Sequence, residues 1–198
     1  MEGTVTMGSR HPDPPSDLAT KALPIETLPN GTAIFRIHRT ALRAKFFGRS
    51  SDWRFNSPDG SYGTLYAAIS PEAAFAETLL RGRGTLIAES ELKERSCCTF
   101  TITRELRLVR LHGPSMTTIG ATAAVTAGPY AVSQGWSSSF FYHPDVPDGI
   151  LYRATHDKLA VALFDRAQDA IGDGVSAPLL SDPTFLGGIL DHYGAALK

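Results

Sequence analysis

Apolar residues in this chain come in runs too short for long helices, and that shortness constrains the fold most. Residues 32–39, 64–69, 98–102, 106–111, 150–153 and 159–164 each have the length and residue types of a strand. Three stretches read as helical instead: 71–81, 130–141 and part of the carboxy end Pro183 to Lys198, a short helix followed by Tyr193-Gly194. The first carries the fullest set of boundary residues: Ser70 to cap it, Pro71 at its first position, Glu72 in its first turn and Gly82 to stop it. Short strands outnumber helices. The expected fold is therefore α+β, a single domain with short mixed strands and a few helices.

Residues 1–22 are polar and carry Pro12, Pro14 and Pro15, which predicts a flexible N-terminal arm ahead of a domain spanning 23–198. Pro24, Pro29 and Asn30-Gly31 mark a bend leading into that domain. With 42% hydrophobic and 20% charged residues, the 198-residue chain can bury a real core, which excludes a wholly disordered protein. A net charge of −1 without a basic stripe argues against electrostatic binding of nucleic acid and directs attention to a pocket or a protein partner. No apolar run is long enough to span a bilayer, and residues 1–20 lack the pattern of a signal peptide. The adjacent Cys97 and Cys98 suit a reducing compartment better than a disulfide framework. A soluble, cytoplasmic protein with no membrane contact is expected.

Several side chains have chemical potential. Glu77 sits among small residues in the first helix, where a ligand can approach its carboxylate; equally, Arg81 four residues on is placed for a surface ion pair. Arg36 lies inside an apolar strand and Arg54 in an aromatic loop, and a guanidinium suits a pyrophosphate or carboxylate as well as a structural tie. Trp53, Tyr62 and Tyr66 can offer a flat surface to a heterocycle or can simply fill the core. Ser133 and Ser137-Ser138-Ser139 bring hydroxyls near a helix start, without a Gly-x-Ser-x-Gly elbow. His38, His112, His143, His156 and His192, five of the six histidines, show no metal-ligand spacing, and the glycines form neither a Walker loop nor a dinucleotide fingerprint.

Taken in order, Phe35-Arg36-Ile37-His38-Arg39, Trp53-Arg54-Phe55-Asn56-Ser57-Pro58, Gly63-Thr64-Leu65-Tyr66-Ala67-Ala68 and Ala73-Ala74-Phe75-Ala76-Glu77-Thr78 resemble the RES-domain family. Ser133-Gln134-Gly135-Trp136, Asp148-Gly149-Ile150-Leu151-Tyr152-Arg153 and Ala162-Leu163-Phe164-Asp165-Arg166 continue the likeness, which covers roughly residues 24 to 198. The resemblance implies a core similar to ADP-ribosyltransferases. It further implies a toxin that cleaves the nicotinamide–ribose bond of NAD+ with phosphate or water as acceptor, held inactive by an Xre-like antitoxin. A protein-directed ADP-ribosyltransferase and a non-catalytic NAD-binding module are the alternatives. NAD+ is then a substrate, with no cofactor, metal or direct nucleic-acid contact. By the same resemblance Arg36, Glu77 and Ser133 carry catalysis, while Arg54, Tyr66 and Thr155 bind substrate. Many relatives place a serine where this chain has Ala154, so Thr155 stands in reserve for the hydroxyl assigned to Ser133.

Overall fold

The computed structural model describes residues 13–81, 85–154 and 158–198. Its framework is an eight-stranded sheet in the order β1-β6-β7-β8-β3-β2-β5-β9. The strands are β1 (Ile25–Leu28), β2 (Ala33–Arg39), β3 (Thr64–Ala68), β5 (Arg95–Thr101), β6 (Leu106–Leu111), β7 (Gly149–Arg153), β8 (Leu159–Phe164) and β9 (Val175–Pro178). A parallel pair of two-residue strands, β4 (Leu86–Ile87) and β10 (Ala196–Leu197), forms a separate small sheet. Within the large sheet β6 and β7 are parallel and the other neighbours antiparallel. Parallel neighbours need a long crossover. Here it contains α3 (Ser115–Thr118), α4 (Ala124–Ala127) and α5 (Tyr130–Phe141).

The central strands are buried on both faces, which is why they read as unbroken apolar runs. Ile150, Tyr152, Ala160, Ala162 and Phe164 enter one core with α5 residues Trp136 and Phe140, whereas Leu151, Val161 and Leu163 enter a second core on the opposite face. This alternation is the two-residue period of a pleated strand. Close strand packing requires Gly149. A Cβ there would stand 2.4 Å from the Ala162 carbonyl oxygen.

The expected α+β fold is the one found, with several local differences. The helix predicted over 71–81 begins as expected: Ser70 Oγ accepts from the Ala73 amide at 3.2 Å and Pro71 opens α1 (Pro71–Phe75). It then widens into a π-helix over Ala76–Leu80, and the predicted stop at Gly82 lies outside the described residues. The strand expected over 98–102 starts three residues earlier and ends at Thr101. The bend between Pro24 and Pro29 contains β1, whose register against β6 a local reading cannot supply. A further helix, α2 (Glu89–Lys93), falls in a segment that reads as merely polar, whereas α6 (Pro183–Tyr193) ends at Gly194 in the left-handed conformation, φ 58°.

The expectation of a flexible arm through residue 22 meets a different arrangement in its described part. Leu18 is buried, its carbonyl oxygen lies 3.1 Å from His143 Nε2, and the Leu23 amide donates to Asp145 at 3.1 Å. Residues 1–12 lie outside the described residues. One apolar leucine in a polar segment is a weak sequence feature, yet burying it here anchors the whole turn.

Candidate functional site

β2 and β3 share only one register pair, Phe35 with Ala68. Beyond it the strands part, and the Arg36 guanidinium takes up a backbone acceptor that a ladder would otherwise use: Nη1 donates to the Tyr66 carbonyl oxygen at 3.2 Å. A guanidinium has about five N–H donors. Only this one is engaged among the described residues, so Arg36 retains donors for an anion. Burial lowers its pKa, with Cys98 and Tyr66 acting in the opposite direction.

The long connection between β2 and β3 delivers Arg54, and a polar, buried face of α5 fixes where it goes. Gln134 Nε2 donates to the Ser51 and Trp53 carbonyl oxygens at 2.6 and 3.1 Å, and Ser137 Oγ donates to the Phe55 carbonyl oxygen at 2.7 Å. Tyr66 completes the clamp. Its hydroxyl accepts from the Phe55 amide at 2.8 Å and donates to Asn56 Oδ1 at 3.0 Å. Held this way, Arg54 Nη1 donates to the Gly128 carbonyl oxygen at 2.7 Å and to Ser133 Oγ at 3.0 Å. A side chain at Gly128 would collide with the backbone of α4, its Cβ lying 2.6 Å from the Ala124 carbonyl oxygen.

The family resemblance casts Ser133 as a catalytic hydroxyl, and the structure places that hydroxyl between Arg54 and the backbone of α4. Ser133 is fully buried, and its proton goes to the Val125 carbonyl oxygen at 2.6 Å while its oxygen receives Arg54. It positions Arg54. Ser133→Ala should therefore raise the KM for an anionic substrate by roughly tenfold or more, the scale of one hydrogen bond to a charged group, with kcat changed by less than about threefold. Steady-state kinetics of a folded variant check this; a loss confined to kcat would support the catalytic role.

Two residues absent from the sequence expectation as ligand contacts complete the cluster. Arg54 lies over the ring of Tyr130 with its guanidinium carbon 4.8 Å from the centroid, and Arg81 Nη2 donates to the hydroxyl of the same tyrosine at 2.9 Å. Arg81 also stands 3.9 Å from Glu77 across one helical turn, with Glu77 the less exposed partner. The ion pair that the spacing allows thus exists, and it belongs to the same cluster. Burial lowers the pKa of Arg54; Tyr130 opposes that effect and Arg81, a like charge, adds to it. Tyr152, buried in the floor, is raised well above its ordinary value, first by burial and then by Glu77, with Arg81 and Arg54 pulling it back. Two guanidiniums converging on one tyrosine repel each other, and a bound anion would relieve that repulsion.

The structure therefore brings Arg54, Ser133, Glu77 and the loop-clamping Tyr66 into one region, adding Arg81, Tyr130 and Tyr152. Arg36 joins it through the Tyr66 carbonyl, and Thr155 lies outside the described residues. Trp53 is exposed beside Arg54, whereas Tyr62 is core, stacked on Phe141 at 4.2 Å between centroids. The spacing of Glu77 and Arg81 makes Arg81 accessible to sequence reasoning; only tertiary contacts identify Tyr130. Burial and then Cys98 push the pKa of the partly buried Cys97 thiol up to about 11, which disfavours its thiolate. Among the described residues no group of His, Cys, Asp and Glu is arranged to hold a metal ion, and no helix is long and apolar enough to cross a membrane.

Comparison with known proteins follows the same outline. The family model for the RES domain matches residues 33–183. A protein described as probable toxin y4kH, from Sinorhizobium fredii (strain NBRC 101917 / NGR234), is 32% identical over 109 residues, which cover 54% of this chain and 86% of that protein. Among solved structures, a chain of the M. tuberculosis MbcT-MbcA toxin-antitoxin complex aligns with a TM-score of 0.58 at 14% identity, over 83% of this chain and 92% of that one. At that identity the likeness is one of fold.

Proposed function

The chain belongs to the RES domain family, and from that premise we propose that it is a toxin that consumes NAD+ and is neutralised by an antitoxin. The description of the Sinorhizobium relative as a probable toxin and the toxin–antitoxin title of the structural neighbour support the first and last parts. The observation that carries the chemistry is the convergence of Arg54 and Arg81 on Tyr130 beside Glu77. Cations set against a carboxylate suit a substrate with a pyrophosphate at one end and a developing positive charge at the other.

In this reading the bond between the nicotinamide nitrogen and C1′ of its ribose breaks, and its electron pair leaves with nicotinamide as a neutral ring. Positive charge builds on the ribose as in glycoside cleavage. Glu77 stabilises that charge and orients the ribose hydroxyls. Arg54, steadied by Ser133, and Arg36, with its spare donors, hold the pyrophosphate. Tyr66 offers its ring to the nicotinamide end while its hydroxyl holds the loop. A phosphate oxygen then bonds to C1′ to give the phosphate ester of ADP-ribose, or water bonds there and releases a proton to give ADP-ribose.

A time course of NAD+ incubated with the purified chain, with and without inorganic phosphate and resolved by product mass, tests the proposal. Free ADP-ribose or its phosphate is the expected product. Label from NAD+ accumulating on a protein band would replace this reading with protein-directed transfer, and binding without any consumption would replace it with a non-catalytic module. For the partner, an Xre-like protein encoded beside this gene should form a stable complex with the chain and stop NAD+ loss.

A further inference from the structure

No acidic residue occurs between Glu26 and Asp52, although the whole chain carries a net charge of −1. Arg36, Arg39, Arg43, Lys45 and Arg49 all fall in that interval. The stretch after β2 folds into a concavity of about 280 Å³ whose lining includes Arg43, Lys45, Phe46, Phe47, Arg49 and Asp165. Two of its charges are held in place. Lys45 donates to the Ile171 carbonyl oxygen, and Arg49 pairs with Asp165 while also donating to the Gly60 and Ser61 carbonyl oxygens at 3.0 Å each. Arg43 is exposed and has no partner among the described residues. Apolar surface lies between these cations, with Phe46 59% and Leu42 63% exposed.

Fixed cations next to exposed apolar side chains match a segment that carries carboxylates and apolar residues together. Nucleic acid fits less well. Exposed Phe46 and Leu42 stand among the cations, and the cations form a compact cluster instead of a track. We infer that this concavity is a docking surface for an acidic, apolar-bearing segment of the antitoxin, an inference that rests on the toxin–antitoxin reading. The surface is separate from the residues assigned to NAD+. It meets the site loop at Asp165, whose carboxylate also accepts from the Gly63 amide at 2.8 Å. Binding there covers the base of that loop.

The test uses the full chain with two probes: an Xre-like protein encoded beside it, taken as the antitoxin, and a fluorescein-labelled synthetic peptide of alternating glutamate and leucine. Arg43→Glu combined with Phe46→Ser should weaken antitoxin binding by about tenfold or more and abolish peptide binding, while NAD+ consumption by the free protein stays unchanged. Arg43→Lys with Phe46→Leu should retain both interactions, and peptide affinity should fall with added salt. Unchanged antitoxin affinity in the first variant overturns the docking surface and leaves the toxin–antitoxin reading standing. An antitoxin that fails to bind the unaltered chain overturns that reading and with it the docking surface, whereas peptide binding lost only in the first variant sustains an acidic-segment site by itself. Displacement of the peptide by single-stranded DNA at equal concentration overturns the proposal in favour of nucleic acid.

Discussion

Glu77→Gln is expected to slow NAD+ consumption by about 10²–10³-fold, the scale on which one preorganised stabilising group acts, with little change in thermal stability. The substitution keeps the shape of the side chain and removes only its charge. Glu77 lies at the first turn of the π-helix, half-buried, with Arg81 at 3.9 Å. An extra residue in a helical turn turns the following side chains relative to a regular helix, and such distortions are common at functional sites. Removing the carboxylate leaves Arg81 bonded to Tyr130 and leaves Arg54 over the same ring, so substrate can still bind. The loss should therefore appear in kcat more than in KM, since developing ribose charge exists only in the transition state. Circular dichroism and a thermal melt establish that the variant is folded. Unchanged turnover by such a protein would remove Glu77 from the mechanism.

Trp136→Ala should cost about 3–5 kcal/mol, the range for truncating a buried aromatic residue. A domain of this size is stable by about 5–15 kcal/mol, so a large share of its stability is at stake. Trp136 is fully buried in α5, with its ring centroid 5.7 Å from that of Phe140. It lies between Gln134 and Ser137, the two residues whose side chains clamp the loop bearing Arg54. The variant should melt about 6–20 °C lower and, below its melting temperature, should bind NAD+ more weakly because α5 positions that loop. Calorimetry and a binding titration measure both effects. A shift below about 2 °C would contradict the central place of α5 in the core.

Local signals serve the fold where one side chain decides a boundary. Ser70 and Pro71 open α1, and Gly194 ends α6, because capping and glycine's freedom act over a few residues. β1 shows the opposite case. Four residues between two prolines become a strand only because β6 offers them a partner. Leu18 likewise reads as part of a polar arm until its burial against the body is seen.

The site divides in a similar way. Arg36, Arg54, Tyr66 and Glu77 are legible as residue types in ordered motifs, and the family resemblance gives them roles. Ser133 belongs to the same motifs, and only the fold reveals its full burial, its bond to the Val125 carbonyl and its contact with Arg54. A hydroxyl's role depends on where its single proton goes, which spacing along a chain does not encode.

By itself the sequence determined an α+β domain, a charge balance without excess, and a set of guanidiniums, a carboxylate and aromatic residues in ordered motifs. These follow from composition and from interactions within a few residues. Tertiary structure decided which of them meet: Arg54 and Arg81 on Tyr130, Glu77 beside Arg81, and Arg36 on the Tyr66 carbonyl. It also folded the acid-free stretch after β2 into one basic, partly apolar concavity. The physical reason is one of range. Electrostatic and hydrogen-bonding interactions act over a few ångströms in space, whereas Arg54 and the Ser133 that steadies it stand 79 positions apart in the chain.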